Sequence, residues 1–212
     1  MLKKLSLNIY QFFSNILNKQ TTTDKNRDKL CFIGIGGGGA NILEDISILD
    51  NQNTFIYLDN NANELKQKQS PYKILVSKNT KDLIDNKIKQ QLETFTDHKT
   101  TIYIIATLGG DCGSNITPQI IKYLRTLNKK VIVSTTIPFN FEGKECLTIA
   151  MQSQDEIKLY TEELITINNN DILQHVDKGG TGKAFKIISK NIYQEILKTV
   201  SVNKNIEKNA IN

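Results

Sequence analysis

No stretch of this 212-residue chain approaches the ~18 consecutive apolar residues that a membrane-spanning helix needs, and at 39% hydrophobic residues it reads as a soluble protein. Cysteine is scarce. Cys31, Cys112 and Cys146 show neither metal-ligand spacing nor a disulfide framework, so a reducing cytoplasm is the expected compartment. Histidine is scarcer still, and His98 and His175 are read as surface residues rather than as ligands or bases. The net charge of +5 comes from lysines that alternate with acids along the chain. No concentrated basic face results, which argues against nucleic acid as a partner. No internal repeat is present, and the length suits one domain with a substantial core.

What is there falls into four parts. In residues 1–20, Leu2, Leu5, Ile9, Phe12, Phe13, Ile16 and Leu17 fall within an arc of roughly 140° at helical spacing, opposite lysine and asparagine. The expectation is an amphipathic helix that docks on a membrane surface, a partner protein or the domain itself. Residues 21–28 are polar and read as a linker, and residues 201–212 as a polar, frayed tail. Between them, strand-like runs (Leu30–Ile35, Thr54–Leu58, Ile74–Val76, Thr101–Thr107, Val131–Thr136, Leu164–Ile167) alternate with helical patterns (Asn41–Leu49, Thr80–Phe95, Pro118–Leu127, Leu147–Tyr160, Lys183–Thr199). Pro118 is expected in the first turn of its helix. Alternation of this kind, with apolar central strands, predicts an α/β fold: a three-layer, Rossmann-like, doubly wound parallel sheet over residues 29–200.

Three glycine-marked segments follow strand-like runs: Gly34–Asn41, Leu108–Asn115 and Pro138–Gly143. At strand-to-helix turns on the carboxyl edge of such a sheet, glycine lets the backbone approach a phosphate, and free N–H groups meet the anion. The first segment alone is ambiguous. Gly34, Gly36 and Gly39 fit G-x-G-x-x-G, and Asp59 stands where a dinucleotide fold places an acid on a ribose hydroxyl, so a NAD- or flavin-dependent enzyme is one reading. Gly179–Lys183 imitates a Walker A loop but has Asp177 and Ala184 where glycine and a hydroxyl residue are needed.

The second and third segments favour another reading. The run Ile105–Pro118 resembles the glycine-threonine signature of the FtsZ/tubulin family. Gly109, Gly110 and Gly113 coincide with its glycines, and Ser114 stands in for a threonine. Pro138-Phe-Asn-Phe-Glu-Gly143 matches the FtsZ form of the next loop at every position. Leu164–Ile167 followed by Asn169, and Ala184-Phe185, are similar to the family's guanine-side turn and the start of its central helix. The resemblance implies a binding site for GTP or GDP, with Mg²⁺ a candidate companion. Gly36, Gly37, Gly38, Gly39, Ala40 and Asn41 would hold the α- and β-phosphates. Gly109, Gly110, Asp111, Cys112, Gly113 and Ser114 would embrace the phosphate chain. Glu142 would contact the ribose, Asn169 the guanine side, and Phe185 would flank the base.

The departures from the family pattern sit at the chemistry. Asp111 replaces a glycine, Cys112 a threonine and Asn115 a glycine. Cys146 stands in place of an arginine, and Lys190 in place of the aspartate that pairs with guanine. A like-charge pair about 4 Å apart costs about 4 kcal/mol at an effective dielectric of about 20, so Asp111 is expected to face solvent or hold Mg²⁺. Lysine offers guanine no acceptor. The γ-phosphate loop near Ser77–Ile84 is shortened, and no acidic catalytic loop follows the central helix in this sequence. The expectation is therefore an FtsZ-like protein of cell division or the cytoskeleton with weakened guanine-nucleotide binding and no catalytic residue of its own. It would act on the filament end of a full-length FtsZ-like partner, in the cytoplasm or at the division site. A degenerate interaction module that binds no nucleotide is a further alternative.

Overall fold

The computed structural model describes residues 30–77, 84–173 and 180–210. The expected N-terminal amphipathic helix and its linker lie outside them, as do His175 and most of the shortened loop after Ser77. Six strands form one parallel sheet: β1 (Cys31–Ile35), β2 (Thr54–Asp59), β3 (Lys73–Leu75), β4 (Thr101–Thr107), β5 (Lys130–Ile137) and β6 (Glu163–Asn168). Their order is β3-β2-β1-β4-β5-β6, so the chain reverses direction across the sheet at the β1–β4 seam, where Cys31 pairs with Ile102 and Ile35 with Ala106.

Both faces of the sheet are covered, which explains the near-continuous apolar runs. Alternate residues serve alternate layers. Ile33, Ile35, Ile56, Ile104 and Val133 point to one core, closed by α3 (Asn86–Phe95), α4 (Asp111–Thr126) and α5 (Lys144–Lys158). Phe32, Tyr57, Tyr103, Ile105 and Ile132 point to the other, closed by α1 (Gly36–Leu49), α6 (Asn169–Leu173) and α7 (Gly180–Ala210), with Leu65 from the short α2 (Ala62–Gln67). Two half-buried hydrogen bonds tie α7 to α1 and its C-cap: Ser189 Oγ donates to Asp45 Oδ2 and Tyr193 Oη to Asp50 Oδ2, each at 2.8 Å. Among the described residues no helix is long and apolar enough to cross a membrane.

The expected three-layer architecture holds, with corrections at the ends of elements. Helix α1 starts at Gly36 rather than near Asn41, because the glycine run itself winds into the first turn. Helix α7 continues through residues 201–210, which were expected to fray. Pro118 is not in a first turn: α4 begins at Asp111, so proline sits in its interior. An interior proline removes the N–H that would bond the carbonyl four residues back. That carbonyl belongs to Ser114, and Ser153 Oγ from α5 donates to it at 2.8 Å. The hydroxyl of a neighbouring helix thus replaces the missing amide.

Candidate functional site

The carboxyl ends of the strands carry all three glycine-marked segments, and a continuous series of contacts joins them. A β-carbon built on Gly36 would lie 3.2 Å from Gly113 N and 3.4 Å from Cys112 Cβ, so the first segment abuts the second. One built on Gly109 would lie 3.1 Å from both Pro138 Cγ and the Cys146 carbonyl, so the second abuts the third. Asn170 then clasps the third segment to the β6–α6 turn: its Oδ1 accepts from Asn140 N at 2.9 Å, and its Nδ2 donates to the Pro138 carbonyl at 3.3 Å. Phe139 meets Phe185 of α7 edge-on at 5.8 Å between centroids and stacks on Phe141 at 4.9 Å.

The glycines divide by what surrounds them. A β-carbon at Gly38, Gly39 or Gly113 would come within 2.6 Å of β4, against the Thr107 side chain, the Ile105 carbonyl and the Thr107 carbonyl respectively. These three let α1 and α4 sit tightly on the sheet. Gly36 and Gly109 have φ of +72° and +101°, which side-chain-bearing residues rarely adopt. Gly37 and Gly110 instead have nothing within 4 Å of the β-carbon position. They lie at the starts of α1 and α4, and neither start has a side-chain cap on its free amides. Two uncapped helix N-termini with open glycines, packed against each other, form a cradle for an anion.

Other expected contacts are partly committed to the loops themselves. Ser114 is buried, and its Oγ accepts from Gly109 N at 2.8 Å, closing the second segment. Glu142 Oε1 accepts from Phe139 N at 2.7 Å, closing the third, and its side chain remains exposed. Ala40 is buried in the α1 core, whereas Asn41 is exposed and its Oδ1 accepts from Lys68 Nζ at 2.8 Å. Asp111 is exposed, and its two carboxylate oxygens accept from Asn60 Nδ2 (3.1 Å) and Asn115 Nδ2 (2.9 Å), so two amides offset the charge that the cradle would otherwise meet. No group of three metal-ligating side chains occurs among the described residues. Burial pushes the Cys112 thiol up to about 12, reinforced by the carboxylates of Asp59 and Asp111, so it stays protonated and unreactive at neutral pH. Asp59 is itself buried, and its Oδ1 accepts from Asn61 N at 2.9 Å, folding the acid that a dinucleotide reading needs for a ribose back onto its own turn.

On the base side, Asn169 is only 4% exposed and its buried Oδ1 has no hydrogen-bond partner, the kind of orphaned acceptor that a ligand donor satisfies. Guanine has such donors at N1 and its exocyclic amine. Phe185 presents a half-exposed ring nearby. Lys190, half-buried on α7, has its pKa lowered by burial. The cradle and the Asn169 acceptor therefore fit a guanine nucleotide, while Lys190 contributes no acceptor to it. Asn60, Asn170 and Ser153 carry no motif signal in the sequence. The Asn168-Asn169-Asn170 run after β6 was the available signal for the clasp.

The model of the Tubulin/FtsZ family, GTPase domain, matches residues 49–177, which contain the second and third segments. Cell division protein FtsZ of Buchnera aphidicola from Acyrthosiphon pisum is 28% identical over 160 residues, covering 69% of this chain and 42% of that protein. Mitochondrial division protein fszB of Dictyostelium discoideum is 27% identical over 168 residues, covering 72% and 46%. The chain thus spans less than half the length of these relatives. Among solved structures, an empty FtsZ dimer from M. jannaschii superposes with a TM-score of 0.66 at 20% identity over 84% of this chain and 55% of that one. TubZ of the Clostridium botulinum phage c-st gives 0.65 at 19% over 79% and 59%. The dinucleotide strand order is shared by both readings, but the second glycine segment locked against the first is not, and with the family match it decides between them: this chain belongs to the Tubulin/FtsZ family, through its GTPase domain.

Proposed function

We propose that the chain binds GTP or GDP at this edge, with weak preference for guanine, and modulates the filaments of a full-length FtsZ-like protein at the division site. The observation that carries the binding reading is the pair of open glycines, Gly37 and Gly110, at the uncapped starts of two abutting helices. A bound nucleotide would supply the charge that the cradle neutralises and a base for the Asn169 side. The backbone amides from Gly36 to Gly39 and at Gly110 and Asp111 donate to phosphate oxygens. Asn169 Oδ1 accepts from the base, and Phe185 covers it. Lys190 donates but cannot accept, so the base side holds guanine less selectively than a carboxylate would. Asp111, held by two asparagines, is the one carboxylate in the second segment through which Mg²⁺ could be shared with the phosphates.

Calorimetry with GTP, GDP, ATP and NAD, with and without Mg²⁺, tests the binding. Uptake of GTP and GDP with ATP within about tenfold supports it. Uptake of NAD alone, or of nothing, refutes it.

The role on filaments follows from the resemblance. FtsZ-type filaments grow when the nucleotide face of one subunit meets the catalytic-loop face of the next, a heterologous contact that propagates unless one face is missing. In this reading the segments 36–41, 108–115 and 138–143 would form the nucleotide face. A polypeptide of these 212 residues is expected to add to one filament end, slow further growth and release little phosphate by itself. Light scattering of an FtsZ-like protein's assembly with substoichiometric amounts of the chain would show shorter filaments or a raised critical concentration. Unchanged assembly, filaments of the chain alone, or phosphate release that scales with its concentration would overturn the capping role.

A further inference from the structure

We propose that Lys68 is a positioning residue of the phosphate cradle, locking the Asn41 carboxamide with its NH₂ group turned toward the open glycine side. The inference rests on the nucleotide reading above. Lys68 stands one residue past α2, and its side chain is only 6% exposed. Burying an ammonium is costly unless it is fully engaged. Its Nζ donates to Asn41 Oδ1 and to Glu44 Oε2, each at 2.8 Å. Both acceptors are on α1, and Glu44 balances the charge.

An ammonium only donates, so the atom of Asn41 that faces it must be the carbonyl oxygen. The Asn41 NH₂ group then points the other way. Gly37 and Asn41 are four residues apart in the opening turns of α1 and so share one face of that helix. The outer side of Gly37 has nothing within 4 Å. With its oxygen held by Lys68, the Asn41 carboxamide has donors rather than an acceptor left for a ligand on the Gly37 face of α1, and phosphate oxygens only accept. Without the clamp the carboxamide turns freely, and one of its two orientations sets a carbonyl against the phosphate.

The test is GDP binding by the full chain, measured by calorimetry for Lys68→Met, Lys68→Arg, Asn41→Ala and the Lys68→Met/Asn41→Ala pair, with thermal unfolding recorded for each. Lys68→Met should bind about tenfold more weakly, about 1.4 kcal/mol. Lys68→Arg, which keeps the donors, should restore most of the affinity. In the Asn41→Ala background, Lys68→Met should cost nothing further, which a general structural role would not produce. In the nucleotide-free protein, the Asn41 side-chain amide resonances should shift toward the values of a free asparagine on Lys68→Met. Undiminished binding by Lys68→Met, or an equal loss in both backgrounds, overturns the proposal. If Lys68→Met does not fold, Asn41→Asp decides: with one carboxylate oxygen held by Lys68, the other faces phosphate, so it should bind GDP more weakly than Asn41→Ala, and equal binding overturns the clamp. If the wild-type chain binds no guanine nucleotide, the nucleotide reading fails, and Asn41 amide resonances unmoved by Lys68→Met would separately refute the clamp.

Discussion

The phosphate half of the proposed nucleotide site and its base half are built from different materials. The phosphate half is backbone: glycines set against β4 with no room for a β-carbon, two helix starts, and amides that need no particular side chain. The base half is side chain: Glu142 closing its own loop, Asn169 with an unused oxygen, Phe185 edge-on to Phe139, and Lys190 where an acceptor is needed. A backbone-built cradle keeps its shape through a substitution such as Asp111, because neighbouring asparagines absorb the change at the surface. A side-chain-built subsite changes its chemistry with each replacement. Divergence is therefore expected to weaken base selection before phosphate binding.

The sharpest way to break the phosphate half is Gly113→Ala. Its β-carbon would lie 2.1 Å from the Thr107 carbonyl, so a loss of about 3 kcal/mol is expected by urea unfolding, whereas Gly110→Ala, with open space around it, should unfold almost like wild type. A smaller effect, about 1–2 kcal/mol, is expected of Ser153→Ala, which leaves the Ser114 carbonyl orphaned beneath the second segment. Pro118→Ala should rescue it by restoring the helix amide, and a double-mutant cycle without coupling would show that Ser153 does not serve this purpose. On the base side, Lys190→Asp should raise discrimination of GTP over ATP about tenfold, with the Tm little changed. A wild-type chain that already selects GTP strongly would place the base contact elsewhere.

The smallest effect is a pH dependence. Cys112 has its folded pKa raised from 9.0 to about 12, chiefly by burial, so its protonated thiol supports the fold fully below about pH 9 and loses that support as the pH rises toward 12. Cys112→Ser should flatten the alkaline limb of a stability–pH curve. An unchanged slope would mean that the thiol is not the titrating group.

The sequence made the scaffold legible because period and punctuation carry it. Strand β4 begins and ends where its apolar run does, and each glycine segment falls at a strand end. What escaped reading depends on partners far along the chain. Pro118 looked like a helix start because nothing local reveals that Ser153, 35 residues later, supplies the hydrogen bond that an interior proline lacks. The Asn41–Lys68 and Asn60–Asp111 contacts each link a helix to a distant turn by side-chain reach, which periodicity does not encode. Ser114 and Glu142 were legible as site residues by type, but not the fact that the oxygen of each accepts a backbone N–H that closes its own loop.

The seam between β1 and β4 also fixes when the site can come into being. Residues 31–35 find their neighbours at 102–106 only after β2, β3 and α3 have intervened, so the central pairing closes a long loop and belongs to the slow, non-local steps of folding. During synthesis, the first glycine segment leaves the ribosome well before the strand that its Gly38 and Gly39 rest against. Binding at the proposed nucleotide site would thus be an acquisition of the late chain: a fragment ending before β4 would lack the strand on which the first glycine segment rests, and a bound nucleotide would favour only chains that have already closed the seam.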